Sequence, residues 1–475
     1  MSSDSSGNPA GDPTGSPRGT VHLPPVADTI YQHIRELPIV SPHGHCNPAW
    51  FAENTAFRDP AELLIIPDHY VFRMLYSQGV PLQDLGIGAD PDTRDPRRIF
   101  RIFAQHWDRF LGTPSRQWLE HTFAHVFQIS EPLTAQTADH YYDLIDAALK
   151  TPRFRPRALF ERFGLELLAT TDAAHDTLSH HRQIRDSGWH GRIIPTFRPD
   201  TVLNPAAPDF AAHIRQLADL TGEDTVSFTS YLNALRQRRA FFKSQGATAT
   251  DHAITTVHTC DVPDTEMAAL LEQALQGPLN EADATRFYGR MLIEMAQMSI
   301  DDGLVMQIHA GSSRSTNTAL YRRFGNDMGA DIPIATDWVN GLSALLNRVG
   351  NDPALNLILF TLDETTYSRE LAPMAGHWPA LRLGPPWWFH DSLNGIARYF
   401  DSVVETAGYW NLAGFNDDTR ALLSIPARHD LWRRGVALHL GGQISRGLFG
   451  LSDALAVARL LARDLAVDAY RLKDL

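Results

Sequence analysis

The chain has 475 residues, with 42 Lys+Arg against 55 Asp+Glu and a formal net charge of −13. That acidity argues against nucleic acid or an anionic membrane surface as a main partner, while 43% hydrophobic residues suit a globular chain with a large core. Two cysteines, Cys46 and Cys260, exclude a disulfide framework.

Residues 1–25 are rich in Ser, Gly, Pro and Asp and hold no apolar run of signal-peptide type, so a disordered N-terminal tail is expected. No stretch approaches the roughly 18 consecutive apolar residues of a membrane helix. A cytoplasmic protein that touches no membrane is the expectation. Beyond the tail, strands are predicted at Leu37–Val40, Leu165–Ala169, Arg192–Thr196, Ala253–Val257, Leu304–Ile308, Leu355–Phe360, Ala380–Leu383 and Asn411–Phe415. Amphipathic stretches such as Glu281–Ser299 and Val339–Val349 lie between them. Eight strands separated by helices predict an α/β fold, a distorted (β/α)8 TIM barrel. A doubly wound open sheet is the alternative, but no Gly-rich phosphate loop follows a strand. Helical patterns at Ala61–Gln78, Arg97–Leu111, Ser115–Phe127 and Asp139–Leu149 fall between the first two strands. They predict a helical insertion at about 52–160 near the C-terminal mouth of a barrel spanning 26–475.

Catalytic groups of such barrels sit at the C-terminal strand ends. Strand 1 runs into His43-Gly44-His45, strand 3 into Arg198-Pro199-Asp200, and strand 5 into His309-Ala310-Gly311 with Arg314 and Asn317 beyond. Strand 7 leads to Trp387-Trp388, and strand 8 to Asp417-Asp418-Thr419-Arg420. Residues two apart in extended chain point the same way, so His43 and His45 can share a metal ion. With a strand-8 aspartate they would leave coordination positions open for substrate. In Pro67-Asp68-His69-Tyr70, Asp68 reads as a helix cap with the rings as packing, beside an acid–base reading of His69 and Tyr70. Arg198 and Arg420 can each hold a substrate carboxylate or pair internally with Asp200 or Asp418. Cys46 reads as a packing residue and not a ligand.

Taken in order, the HxH after strand 1, PDHY, FRPD, MQIHAG, PWWF and DTR followed by ARH resemble the uronate (glucuronate) isomerases, metal-dependent barrels of the amidohydrolase superfamily. The resemblance runs from about Leu37 to Leu475. It implies an isomerase that interconverts D-glucuronate with D-fructuronate, D-galacturonate with D-tagaturonate, or both, through proton transfer and an enediol. It implies one divalent ion, zinc with manganese as the alternative, on His43, His45 and Asp418. It further implies His69, Tyr70, His309, Asp251 and Asp418 as catalytic groups, and Arg198, Arg420 and Trp387 as substrate-binding ones. A small sugar acid is then the expected partner, and a homo-oligomer the expected assembly.

The chain departs from the family pattern at Ser41-Pro42 before the HxH, at Thr170-Thr171-Asp172-Ala173-Ala174, at Ala247 and at Leu362-Asp363-Glu364. These changes surround the mouth and bear on which sugar acid fits. The competing enzyme reading is a single-metal hydrolase of the same superfamily acting on a sugar-acid derivative. A lysine-bridged two-metal hydrolase is disfavoured, because the only lysines are Lys150, Lys243 and Lys473, and none follows a predicted strand.

Overall fold

The computed structural model describes residues 21–474. Most of the expected tail therefore lies outside the described residues; its last residue, Pro25, already begins helix α1 (Pro25–Ile34). The parallel strands β1 (Ile39–Ser41), β2 (Leu165–Ala169), β3 (Ile193–Ile194), β4 (Ala249–Ala253), β5 (Val305–Ala310), β6 (Leu357–Thr361) and β7 (Leu381–Leu383) form the barrel wall. β1 pairs with β2 and β2 with β3, while β4 to β7 pair in order in a second segment. Short extended pairs, Asp172–Ala173 beyond β2 and Phe197–Arg198 beyond β3, join that second segment next to β4. The barrel expectation holds, and its wall is distorted where the two segments meet.

Three strand assignments need correction. The third strand is split at Pro195, which has no N–H for the ladder. The fourth lies at Ala249–Ala253, four residues before the predicted run. Its Asp251 and His252 are almost fully buried and looked too polar for a barrel wall. They are tolerated because Asp251 faces a histidine and an arginine inside the mouth. The eighth reduces, among the described residues, to a single bridge between Leu383 and Leu412. Beyond it Gly414 adopts φ +77°, where a Cβ would lie 2.7 Å from the backbone nitrogen of Ala466.

The lumen is filled by Val40, Leu167, Ala169, Ile194, Ala249, Val305, Ile358 and Phe360, all buried and drawn from strands around the wall. This is a packed interior that closes the bottom of the site. Between β1 and β2 lie α2 (Pro60–Leu64), α3 (His69–Ser77), α4 (Pro96–Gln105), α5 (Pro114–His121) and α6 (Ala138–Leu149). Four of their starts are written in the sequence: Asp59, Asp68, Asp95 and Thr113 each accept a hydrogen bond from a first-turn N–H. Three of these caps precede a proline, which is preorganised for the first helical position. The pattern predicted as one helix over Ala61–Gln78 breaks at Pro67, so α3 begins afresh with His69. Apolar faces such as Ile99, Phe100, Phe103 and Ala104 of α4 bury into a second core that reaches Leu422, Leu423 and Ile425 after the eighth strand position. The helices between β1 and β2 are thus packed onto the mouth side of the barrel and do not hang free.

Candidate active site

One cavity of about 330 Å³ opens at the C-terminal strand ends. His43, His45, His69, Tyr70, Arg198, Asp251, His309, Trp387, Asp418 and Arg420, every site residue expected from the sequence, line it. Arg314, Ser315, Asn326, Asp327 and Asp331, from the segment after β5, close its rim.

At the floor, His43 Nε2 and His45 Nε2 approach Asp418 Oδ1 at 3.5 and 3.0 Å. Asp418 Oδ1 is buried and accepts no well-formed hydrogen bond. Burial alone would raise its carboxyl, yet the two imidazoles hold it well below the usual carboxylate range. A carboxylate oxygen and two ring nitrogens turned on one point are what a divalent ion collects. His43, His45 and Asp418 therefore fit the expected metal, with one ligand atom from each lying within 4.8 Å of the others. His43, Asp251 and His309 form a second such group, which shares His43. Cys46 stays out of both: its buried Sγ lies 3.6 Å from the Thr419 carbonyl oxygen. Lys243 donates to the Asp302 carbonyl, away from the strand ends.

On β4 and β5, Asp251 Oδ1 sits 2.7 Å from His309 Nδ1. A carboxylate can only accept, so Nδ1 carries the proton and Nε2 keeps a lone pair. That Nε2 is buried with no hydrogen-bond partner. The ring is fixed between His43, stacked at 4.6 Å, and Phe360, stacked at 4.2 Å, with Trp387 edge-on at 5.1 Å. Burial would raise the Asp251 carboxyl, but His309 and Arg198 hold it well below its ordinary value. Gly311 lets the chain turn over the mouth after β5. At φ +89° it has a conformation L side chains avoid, and a Cβ there would lie 2.5 Å from Thr361 Oγ1.

The cap expected at Asp68-His69-Tyr70 is present, and the rings it positions line the cavity. Asp68 Oδ1 accepts from the Tyr70 N–H at 2.9 Å and caps α3, and the first turn of that helix delivers both rings to the cavity. The rings stack at 4.5 Å, and His69 Nδ1 and Tyr70 OH are buried without a hydrogen-bond partner. Burial, reinforced by Arg420, pulls the His69 pKa down to about 3, so its imidazole is neutral near pH 7. The Tyr70 phenol is pushed well above its ordinary value by burial.

Arg198 forms the internal pair considered for it, Nε to Asp200 Oδ2 at 2.7 Å, and also reaches Asp251 Oδ2 at 3.5 Å. Arg420 pairs not with Asp418 but with Asp327 Oδ2 at 3.2 Å, across the cavity rim. Both arginines remain part-exposed to the cavity, at 28% and 35% of the side chain. Asp418 and Trp388 lie in the left-handed region, at φ 39° and 65°. For the bulky Trp388 that backbone is uncommon, and such positions concentrate at functional sites.

The rim residues Asp327 and Asp331 escape sequence reasoning because the segment after β5 shows no periodicity; Arg314, found by its place after a strand, was their only signal. A further buried group, Arg428 with Asp391, lies behind Tyr70. ARH was visible as a motif, yet nothing in its spacing shows that Arg428 packs beside Tyr70.

The sequence matches the glucuronate isomerase family over residues 24–468. The chain belongs to that family. The uronate isomerase of Xanthomonas campestris pv. campestris (strain B100) is 51% identical over 450 residues, covering 94% of this chain and 96% of that one. The crystal structure of glucuronate isomerase from Caulobacter crescentus superposes with a TM-score of 0.92 at 50% identity, covering 94% of each chain. That of uronate isomerase from Thermotoga maritima gives 0.88 at 26% identity, covering 96% of this chain and 98% of that one. The chain is accordingly an isomerase built on the expected barrel, and among its described residues no helix is long and apolar enough to cross a membrane.

Proposed function

We propose that this enzyme interconverts a sugar uronate and its 2-keto isomer, D-glucuronate with D-fructuronate, D-galacturonate with D-tagaturonate, or both. The observation that carries the reading is the composition of one cavity: a His-His-Asp ion-binding floor, two buried acid–base groups on a separate helix, and two arginines at its edge. The unit that does this is the barrel of residues 26–475 with its insertion at about 52–160, whose role is to supply His69 and Tyr70.

Moving the carbonyl from C1 to C2 requires a proton to leave C2 and a proton to reach C1, with charge developing on oxygen between. One divalent ion, zinc with manganese as the alternative, held by His43, His45 and Asp418, would supply Lewis-acid stabilisation of that charge. Arg198 and Arg420 hold the substrate carboxylate. In a chain of net charge −13 these local cations are what attracts an anionic sugar. Trp387 offers an apolar wall to the sugar carbons. His69 is neutral and can accept a proton; Tyr70 is a phenol and can donate one. His309, kept by Asp251 in the tautomer with a free Nε2, is the second base candidate. Asp418 serves both as an ion ligand and as a charge against which His43 and His45 are held.

The pathway is read by running the reaction in deuterium oxide and following the ketose by NMR. Deuterium entering at C1 is expected for the enediol route, and complete retention of the substrate hydrogen would point to a hydride shift. A parallel panel of lactones and amides tests the single-metal hydrolase, which predicts turnover there and none of the uronates. A cytoplasmic location and a homo-oligomeric assembly complete the proposal, the former supported by two cysteines that form no disulfide.

A further inference from the structure

Arg428 lies in the first turn of α7 (Ile425–Ser445) with its side chain 1% exposed. A buried guanidinium is costly unless its charge and donors are met; here Nη1 and Nε are met, while Nη2 has no hydrogen-bond partner. Here one edge is met twice: Nη1 donates to Asp391 Oδ2 at 2.7 Å and to the Asp417 carbonyl oxygen at 3.2 Å. Nε donates to Ser424 Oγ at 3.2 Å. The guanidinium carbon lies 3.7 Å from the ring centre of Trp118 and 5.4 Å from that of Tyr70, which themselves meet edge-to-face at 5.6 Å. Trp118 Nε1 donates to the Asp391 carbonyl at 3.1 Å, closing the group.

Two of these partners belong to opposite halves of the site. The Asp417 carbonyl is in the peptide bond that precedes Asp418, the residue whose left-handed backbone aims its carboxylate at His43 and His45. Tyr70 and Trp118 come from the inserted helices α3 and α5. We propose that Arg428 is a positioning residue that fixes the Tyr70 ring relative to the Asp417–Asp418 peptide, and so sets the distance between the acid–base pair and the ion-binding floor. The assignment rests on the isomerase reading, with Tyr70 as a group that acts on substrate. A flat guanidinium meets a ring face and two oxygens in one plane, and a lysine ammonium cannot.

The test is a double-mutant cycle of Arg428→Lys with Tyr70→Phe, with kcat and KM measured on the uronate turned over and normalised to bound metal. Arg428→Lys is expected to lower kcat at least tenfold, because a misplacement near 1 Å can cost about a hundredfold. KM is expected to stay within threefold and the melting temperature within a few degrees. In the Tyr70→Phe background the same substitution is expected to cost less than threefold. Equal losses in both backgrounds, or an Arg428→Lys enzyme with unchanged kcat, overturn the assignment. If Arg428→Lys does not fold, Arg428→Gln replaces it in the cycle under the same thresholds, since it removes the guanidinium and leaves the direct Trp118–Tyr70 contact in place. An unaltered enzyme that turns over no uronate sinks the isomerase reading and this assignment with it, whereas additive losses in an active enzyme sink the assignment alone.

Discussion

Asp251→Asn isolates the carboxylate that orients His309, and its cost follows from the contacts around it. The side chain is almost fully buried and accepts one short bond from His309 Nδ1, with Arg198 Nη1 at 3.5 Å. Stripping a buried ion pair of one partner costs about 3–5 kcal/mol. Here Arg198 keeps Asp200 at 2.7 Å, and an Asn oxygen can still accept from Nδ1–H. The loss is therefore closer to that of one charge-assisted hydrogen bond, about 1.5–3 kcal/mol, and the melting temperature falls by only a few degrees. Activity suffers more. Without the carboxylate the imidazole is a weaker base and its tautomer is no longer dictated, and loss of a positioned acid–base group costs about 10²–10⁴ in rate. Stopped-time assays of ketose formation, with thermal melts on the same sample, are expected to show kcat at least a hundredfold down in a folded protein. A folded Asp251→Asn variant with kcat within threefold of the unaltered enzyme would refute the reasoning.

Arg420→Gln removes a cavity cation whose partner at the rim is Asp327. It is expected to raise KM for the uronate by about ten- to a hundredfold, the range for one hydrogen bond to a charged group, and steady-state kinetics at saturating substrate would show kcat less affected than KM. His69 makes stability depend on pH in a stated direction. Its folded pKa is about 3 while the ordinary value is 6.5, so below about pH 6.5 the unfolded chain binds a proton that the folded chain refuses. This penalty is absent above that pH and grows by about 1.4 kcal/mol per unit as pH falls toward 3. His69→Gln is expected to lose stability less steeply than the unaltered chain between pH 6.5 and 4.5 in urea titrations; parallel curves would contradict the burial argument.

The parts of the site that were legible in the sequence share one property: each is a polar residue just past an apolar run. His43, His45, His309, Arg198 and the Asp418–Arg420 pair were found that way, and the cavity collects all of them. Asp251 defeated the same logic, because it lies inside a strand whose polarity is offset by His309 and Arg198, groups distant in sequence. The strand was therefore placed four residues late. Pro195 is visible but its consequence is not: β3 ends at Ile194 before it, and extended pairing resumes only at Phe197–Arg198. His69 and Tyr70 needed the resemblance, since a capped helix start looks alike whether its first turn faces a core or a cavity. Asp327, Asp331 and Arg428 act through tertiary contacts that no local spacing encodes.

The central claim is that one cavity joins an ion held by His43, His45 and Asp418 to isomerisation of a uronate. It is tested most directly by assaying D-glucuronate and D-galacturonate turnover and metal content on the same preparation, for the unaltered chain and for His43→Ala. Conversion of at least one uronate to its 2-keto isomer, with about one divalent ion per chain, is expected for the unaltered chain, and loss of both ion and activity for His43→Ala. Absence of turnover on every uronate with the ion in place, or full activity in a metal-free His43→Ala variant, would contradict it.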